Sequence, residues 1–408
     1  MHGRVAPVAL RPEAELLLWA GRCCEQNERA SQIRSLLQGS IDWDYVLRIT
    51  EHNRMTPLLY TSLNAACPEL VPETVLDPLR KEFHENSLRN LLLTRELLEI
   101  LKLLDSHGIP ALPYKGPTLA TSFYGNLALR SFGDLDILVH KHDVSRLKQL
   151  MTTRGYRADP DLTGKEEAAY LNSDREYRFL REDNGVYVEI HWQLLPHHSR
   201  FGLDTRFLWD RAVSASLAGA TIKTLPPEEL FLVLCVHGGD HHAWSRLRWI
   251  CDIGRIIVAT NGLDWDRALR QADRLGRKRT VFLGLYLAEV LLGAGVPDEL
   301  SRRVRNDSAV SGLAGLVVGR LFREGFGLPG FSEWLHYVKS MDGRRDRNIT
   351  PLDRVRHFTR YLRAIITPEP ADRAMFPALP VQLSFVHYFS RPFRIFREQG
   401  TTLFRRLR

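Results

Sequence analysis

The run Gly133-Asp134-Leu135-Asp136-Ile137-Leu138-Val139 places two carboxylates two residues apart at the head of an apolar segment. Strand side chains alternate faces with a period of two, so Asp134 and Asp136 share one face while Leu135, Ile137 and Val139 enter a core. Two like charges held side by side need a neutralising partner, and a hard divalent cation with oxygen ligands is the usual one. The pair therefore reads as half of a metal site. Taken alone, an Asp-x-Asp word also fits a solvated strand end, and its surroundings decide between the two.

Downstream, residues 176–180 and 186–192 form two strand-like runs around Arg181-Glu182-Asp183-Asn184-Gly185, where Asn-Gly marks a tight hairpin turn. In the second run Val186, Val188 and Ile190 share one face, and Tyr187, Glu189 and His191 the other. Glu189 is thus an acid on an otherwise buried strand; alone it fits a placed ligand or a surface residue of an edge strand equally, and if this strand pairs beside residues 134–139 it joins the two aspartates as a third metal ligand. Upstream, residues 109–114 read as a short strand ending in Lys115-Gly116-Pro117-Thr118, followed by a helix over 119–124. Gly116 permits a tight turn, Pro117 suits the first helical position, and the new helix N-terminus offers free N–H groups to phosphate. Lys115 and Arg130 add positive charge on either side, and each alone also fits ordinary surface charge.

A glycine turn opening a helix, an Asp-x-Asp strand and a single acid on a later strand resemble the nucleotidyltransferase superfamily with the DNA polymerase beta-like catalytic core. Within it the chain is most similar to a bacterial group described as uncharacterised nucleotidyltransferase family proteins. The matching words are Tyr114-Lys115-Gly116-Pro117, Tyr124-Gly125, Arg130 leading into 134–139, Val188-Glu189-Ile190-His191-Trp192, and His237-Gly238 through Arg248-Trp249-Ile250-Cys251-Asp252. They cover roughly residues 88–255. Pro117 stands where the superfamily usually has Gly or Ser, so a phosphate-binding hydroxyl falls to Thr118 or Ser131. The glycine also lies farther from the aspartates than in the commonest members.

The resemblance implies an α+β fold, a small mixed β-sheet embedded in a mostly helical chain. It implies that Asp134, Asp136 and Glu189 hold two Mg2+ ions and perform the catalysis, and that Lys115, Gly116, Thr118, Arg130 and Ser131 line the triphosphate. The reaction is then transfer of a nucleoside monophosphate from an NTP, with ATP the first candidate, to a hydroxyl, amine or phosphate acceptor on a small molecule, peptide or protein. On a continuous helix His237, His241, Arg248 and Asp252 would form one polar stripe, read as a nucleotide-facing band, a structural network, or, for the two histidines, a zinc pair. Two other functions compete: a nucleotide-binding regulatory module that has lost the chemistry, and a basic nucleic-acid-binding protein.

The net charge of +8 is local rather than spread out: beyond Tyr388, Arg391, Arg394, Arg397, Arg405, Arg406 and Arg408 face only Glu398. That argues against a protein-wide nucleic-acid surface and leaves a basic tail carrying Phe389, Phe393, Phe396 and Phe404, suited to an anionic membrane surface, a nucleic acid, an acidic partner or the enzyme body. Five cysteines, with Cys23 and Cys24 adjacent, suit a reducing compartment; the start lacks a signal-peptide pattern, and no segment is long and apolar enough to span a bilayer, so a cytoplasmic location is expected. The domain expectation is a helical region over 1–108, the catalytic core over 109–200, a helical covering domain over 201–310, and a helical C-terminal region over 311–408. Helices are expected near 13–24, 43–52, 79–105, 144–154, 230–235, 264–275 and 280–293, with Phe83, Leu91, Leu97, Leu98, Leu101 and Leu104 on the buried side of the third. The Gly-, Pro- and Arg-rich stretch 327–353 reads as a loop or lid.

Overall fold

A computed structural model describes residues 10–323 except 174, 196–204 and 261, together with 336–337 and 340–341. Both the 327–353 stretch, save those four residues, and the basic tail lie outside the described residues. The chain divides into two compact units, Met1–Ser311 and Gly312–Arg408. In the second, the Arg320 guanidinium lies 5.0 Å from the centre of the Tyr337 ring.

The fold is α+β, as expected. Five strands form one mixed sheet: β1 (Ala111–Pro113), β2 (Asp134–Val139), β3 (Tyr156–Asp159), β4 (Glu176–Arg181) and β5 (Val186–His191), in the order β1-β2-β5-β4-β3. The central β2–β5 pair is parallel, and every other pairing is antiparallel. The β4–β5 hairpin closes through a four-residue loop, in which the Gly185 amide donates to the Arg181 carbonyl at 2.8 Å and Gly185 takes a positive φ of 68°. A wider loop than a two-residue Asn-Gly turn is the result.

Period two explains which side of the sheet is dry. Leu135, Ile137 and Val139 of β2 join Val186, Val188 and Ile190 of β5, Tyr177 and Phe179 of β4, and Val144, Leu147 and Met151 of the crossover helix Val144–Thr153 in one buried cluster. The long helix Glu73–Ser106 covers the same face with Leu93, Leu97, Ile100 and Leu104, spaced three and four apart. This stripe corrects the sequence expectation for that helix: Leu91 is 57% exposed, because the sheet meets the helix along the 93/97/100/104 row. Turning the apolar side chains inward on β2 and β5 leaves Asp134, Asp136, Glu189 and His191 on the opposite face, where the site forms.

Past the sheet, a small hairpin of β6 (Val213–Leu217) and β7 (Ala220–Thr224) stands within the 201–310 region expected to be helical. Leu217 and Ile222 anchor it in the main core, and Thr224 Oγ1 donates to the Pro113 carbonyl at 2.6 Å. The helices Pro227–Val236, Leu247–Ala259, Trp265–Arg274 and Lys278–Leu292 follow. No helix among the described residues is long and apolar enough to cross a membrane.

Candidate active site

Parallel pairing of β2 with β5 sets Asp136 directly opposite Glu189, with Leu138 opposite His191. Asp136 Oδ1 lies 3.2 Å from His191 Nε2, and that nitrogen is 3.7 Å from Glu189 Oε2. Ligand atoms of Asp136, Glu189 and His191 all fall within 4.8 Å of one another, which is close enough for one metal ion. The convergent triple thus has His191 where the sequence reading has Asp134. Asp134 is set opposite Tyr187 at the exposed start of β2. Although its surface is accessible, it stands in a dense surround: partial burial and the neighbouring charge of Asp136 hold its carboxyl above the ordinary range.

A fourth acid, Glu176, joins from β4, where it pairs with His191 in register. Its Oε2 is 3.6 Å from His191 Nδ1 and 3.2 Å from Arg175 Nε. Arg178 Nε reaches Glu189 Oε1 at 3.1 Å. Burial, with the charges of Glu176 and Asp136, pushes Glu189 up to about 7, the response of a carboxyl crowded by other acids. Asp136 goes the other way. Burial raises it, but the Lys115 ammonium and the His191 hydrogen bond outweigh that and hold it well below the usual carboxylate range.

The glycine turn is built against this centre. Gly116 has a φ of +53°, and a Cβ there would lie 3.1 Å from the Asp134 carbonyl oxygen, so both the backbone conformation and the close approach require glycine. Helix Gly116–Tyr124 starts at the turn, with Pro117 in its first positions as expected, and Lys115 precedes it. Lys115 Nζ contacts Asp136 Oδ1 at 2.8 Å. Thr118 is buried and its Oγ1 is enclosed by protein without a hydrogen-bond partner, while the Ser131 carbonyl accepts from Arg248 Nη1.

Arg130 is a buried strut. Its Nε and Nη2 donate to Asp252 Oδ1 and Oδ2 at 2.8 and 2.9 Å, and the Tyr124 hydroxyl donates to the same Oδ1 at 2.7 Å. A bidentate pair of this kind orients its guanidinium toward Asp252 rather than toward a phosphate. Asn90 of the long helix completes the anchoring by donating to the Leu127 and Arg130 carbonyls at 2.6 and 2.9 Å. The segment leading into the Asp-x-Asp strand is thereby tied to two helices.

The word beginning at His237 is not one helix, which corrects the single-stripe expectation. A π-turn spans His237–His241, Ala243 and Trp244 adopt left-handed φ of 47° and 54°, and a new helix starts at Leu247. Gly238 makes the break compatible with packing: a Cβ there would fall 2.5 Å from the fully buried Trp244 ring. The break brings in His242, which lay in the word but off the expected stripe; its ring stacks on Trp249 at 4.2 Å, with the His237 ring edge-on to His242 at 4.6 Å. His241 Nε2 lies 3.2 Å from Arg175 Nη1. Burial is the main reason that His237 and His242 sit well below the usual histidine range and His241 falls to about 3, with the Lys115 charge acting on all three. Arg248, lowered to about 10 by burial and by Arg130, stays charged at neutral pH. These groups make a wall of neutral imidazoles and cations within electrostatic reach of the acidic centre.

Acids on two parallel central strands, a glycine turn opening a helix beside them, and helices packed around a small mixed sheet define a nucleotidyltransferase-type enzyme. The chain belongs to the family described as uncharacterised nucleotidyltransferases, whose sequence model matches residues 39–293. No curated protein matches the chain.

Proposed function

We propose that the protein is a Mg2+-dependent enzyme that transfers a nucleoside monophosphate from an NTP, ATP being the first to test, to a hydroxyl, amine or phosphate acceptor. The observation that carries this reading is the in-register opposition of Asp136 and Glu189 on adjacent parallel strands, with a third ligand, His191, in reach. The donor set fits a divalent cation: the carboxylates of Asp136 and Glu189, with Asp134 at the open rim, are the oxygen ligands that suit Mg2+, while the His191 imidazole is a nitrogen donor better suited to a first-row transition ion and would serve Mg2+ only from the outer shell. Bound divalent cations supply Lewis-acid stabilisation of phosphoryl oxygens and acidify the acceptor hydroxyl.

The remaining work falls to the chain's own residues. Free N–H groups at Gly116 and the helix start, with Lys115 and Arg248, bind phosphate oxygens and oppose the charge gathering on the departing pyrophosphate. The acceptor oxygen forms a bond to the alpha phosphorus as the bond to the bridging oxygen breaks, and Glu189 Oε2 receives the acceptor proton. His237, His241, His242 and Trp249 cover the nucleotide with uncharged rings, while Arg130 and Asp252 hold the strand's entry segment. The domain roles follow: residues 109–200 carry the chemistry and 201–310 cover the nucleotide.

Incubation with alpha-labelled triphosphates, Mg2+ and a clarified lysate tests this directly. Wild type is expected to move label to a new molecule, and Asp136→Ala to lose at least about 10³-fold in rate while keeping its circular dichroism. Equal transfer by both would remove the metal site. Triphosphate binding without transfer by wild type would favour a regulatory module.

A further inference from the structure

Lys115 makes an unusual contact for a residue assigned to phosphate. Its ammonium touches Asp136 Oδ1 at 2.8 Å, with side-chain exposures of 13% for the lysine and 2% for the aspartate. The same oxygen faces His191 Nε2 at 3.2 Å and the Tyr114 hydroxyl at 3.5 Å. The ammonium and the Tyr114 hydroxyl donate to this oxygen, and His191 Nε2 faces it as donor or acceptor according to its tautomer, so the lone pairs of Oδ1 are already engaged. A divalent cation binding through Oδ1 must therefore displace at least the lysine, whose charge also opposes the cation's approach.

We propose that Lys115 is a resident counter-cation that closes the metal site of the nucleotide-free protein, so that the divalent cation enters together with the triphosphate. This rests on the metal-site reading above. Lys115 is the residue immediately before helix Gly116–Tyr124, so its flexible four-carbon stem pivots beside the free N–H groups that would receive phosphate. A triphosphate arriving there offers the ammonium a new partner as the cation takes Asp136. Each ligand then helps the other to bind, and by linkage the coupling is reciprocal.

The consequence has an unexpected sign: removing this phosphate-facing charge strengthens metal binding in the free protein. Mn2+ is titrated into the full chain and free ion is read by electron paramagnetic resonance, with and without a non-cleavable α,β-methylene triphosphate, for wild type, Lys115→Met and Asp136→Asn. Without nucleotide, Lys115→Met is expected to bind Mn2+ roughly tenfold more tightly than wild type and to gain more in Tm from the ion. With the analogue present the advantage disappears. If Lys115→Met does not fold, Lys115→Gln takes its place, and Lys115→Arg, which keeps the charge, is expected to follow wild type.

Binding by Lys115→Met or Lys115→Gln that is no tighter than wild type, alongside a loss of binding in Asp136→Asn, overturns the counter-cation and leaves the metal site standing. Unchanged Mn2+ binding in Asp136→Asn overturns the metal-site reading itself.

Discussion

Single residues in this protein are decided by what neutralises them. The parity of the Asp-x-Asp word was readable because strand side chains must alternate, and the same parity set Glu189 and His191 on one face. His191 was visible on that face, but the three-carboxylate pattern of the resembled superfamily gave no reason to count it among the ligands. Arg130 was unreadable in its true role, since its partner Asp252 is 122 residues away along the chain. A half-buried histidine shows the same principle in a measurable form. His52 Nε2 lies 3.1 Å from the Ser245 carbonyl, and burial followed by the charge of Arg246 lowers its pKa from 6.5 to about 4. Its folded pKa is depressed, so between those values the unfolded chain binds the extra proton and stability falls as the pH drops. Thermal melts across pH 7 to 4 are expected to show a shallower acid decline for His52→Gln than for wild type, and identical slopes would remove the residue from the acid response.

At the scale of elements, long periodic segments were legible and short ones were not. Helix 79–105 was expected from its leucines and is present as Glu73–Ser106, although which leucines are buried depended on the angle at which the sheet meets it. By contrast the β6–β7 hairpin is made of five-residue strands rich in Ala, Ser and Thr with largely exposed faces, a pattern too weak in period two to announce itself. The entry segment before β2 is tied to the rest of the fold by distant side chains. Asp252→Asn removes the charge that fixes Arg130 in two bonds and leaves a buried guanidinium uncompensated, so a loss of about 3–5 kcal/mol is expected in denaturant unfolding. Transfer activity is expected to fall with it even under conditions where the variant is folded, because the start of β2 loses its tether. Full activity and wild-type stability would show that Asn90 and Arg248 hold the segment without it.

For the whole molecule, five cysteines form no disulfide: Cys67, Cys235 and Cys251 are buried and Cys23 and Cys24 partly so, all as free thiols. Among the described residues the apolar packing includes the sheet core and the buried faces of Leu247–Ala259 and Lys278–Leu292. The unfolding temperature is expected to be the same with and without reductant, and Cys24→Ser to stay within about 0.5 kcal/mol of wild type. A drop in Tm on reduction would reveal a disulfide and overturn the assignment of five free thiols.

By itself the sequence determined the strand faces, the glycine turn and the order of the chemical words, because local sterics and the alternation of side chains act within a few residues. Tertiary structure alone decided that β2 and β5 lie parallel in register, that Lys115 closes on Asp136 while Arg130 turns to Asp252, and that the word at His237 breaks into a π-turn and a new helix around buried Trp244. Charges choose partners by distance in space, and the cost of leaving any of them unpaired in the interior makes those choices a property of the packed molecule.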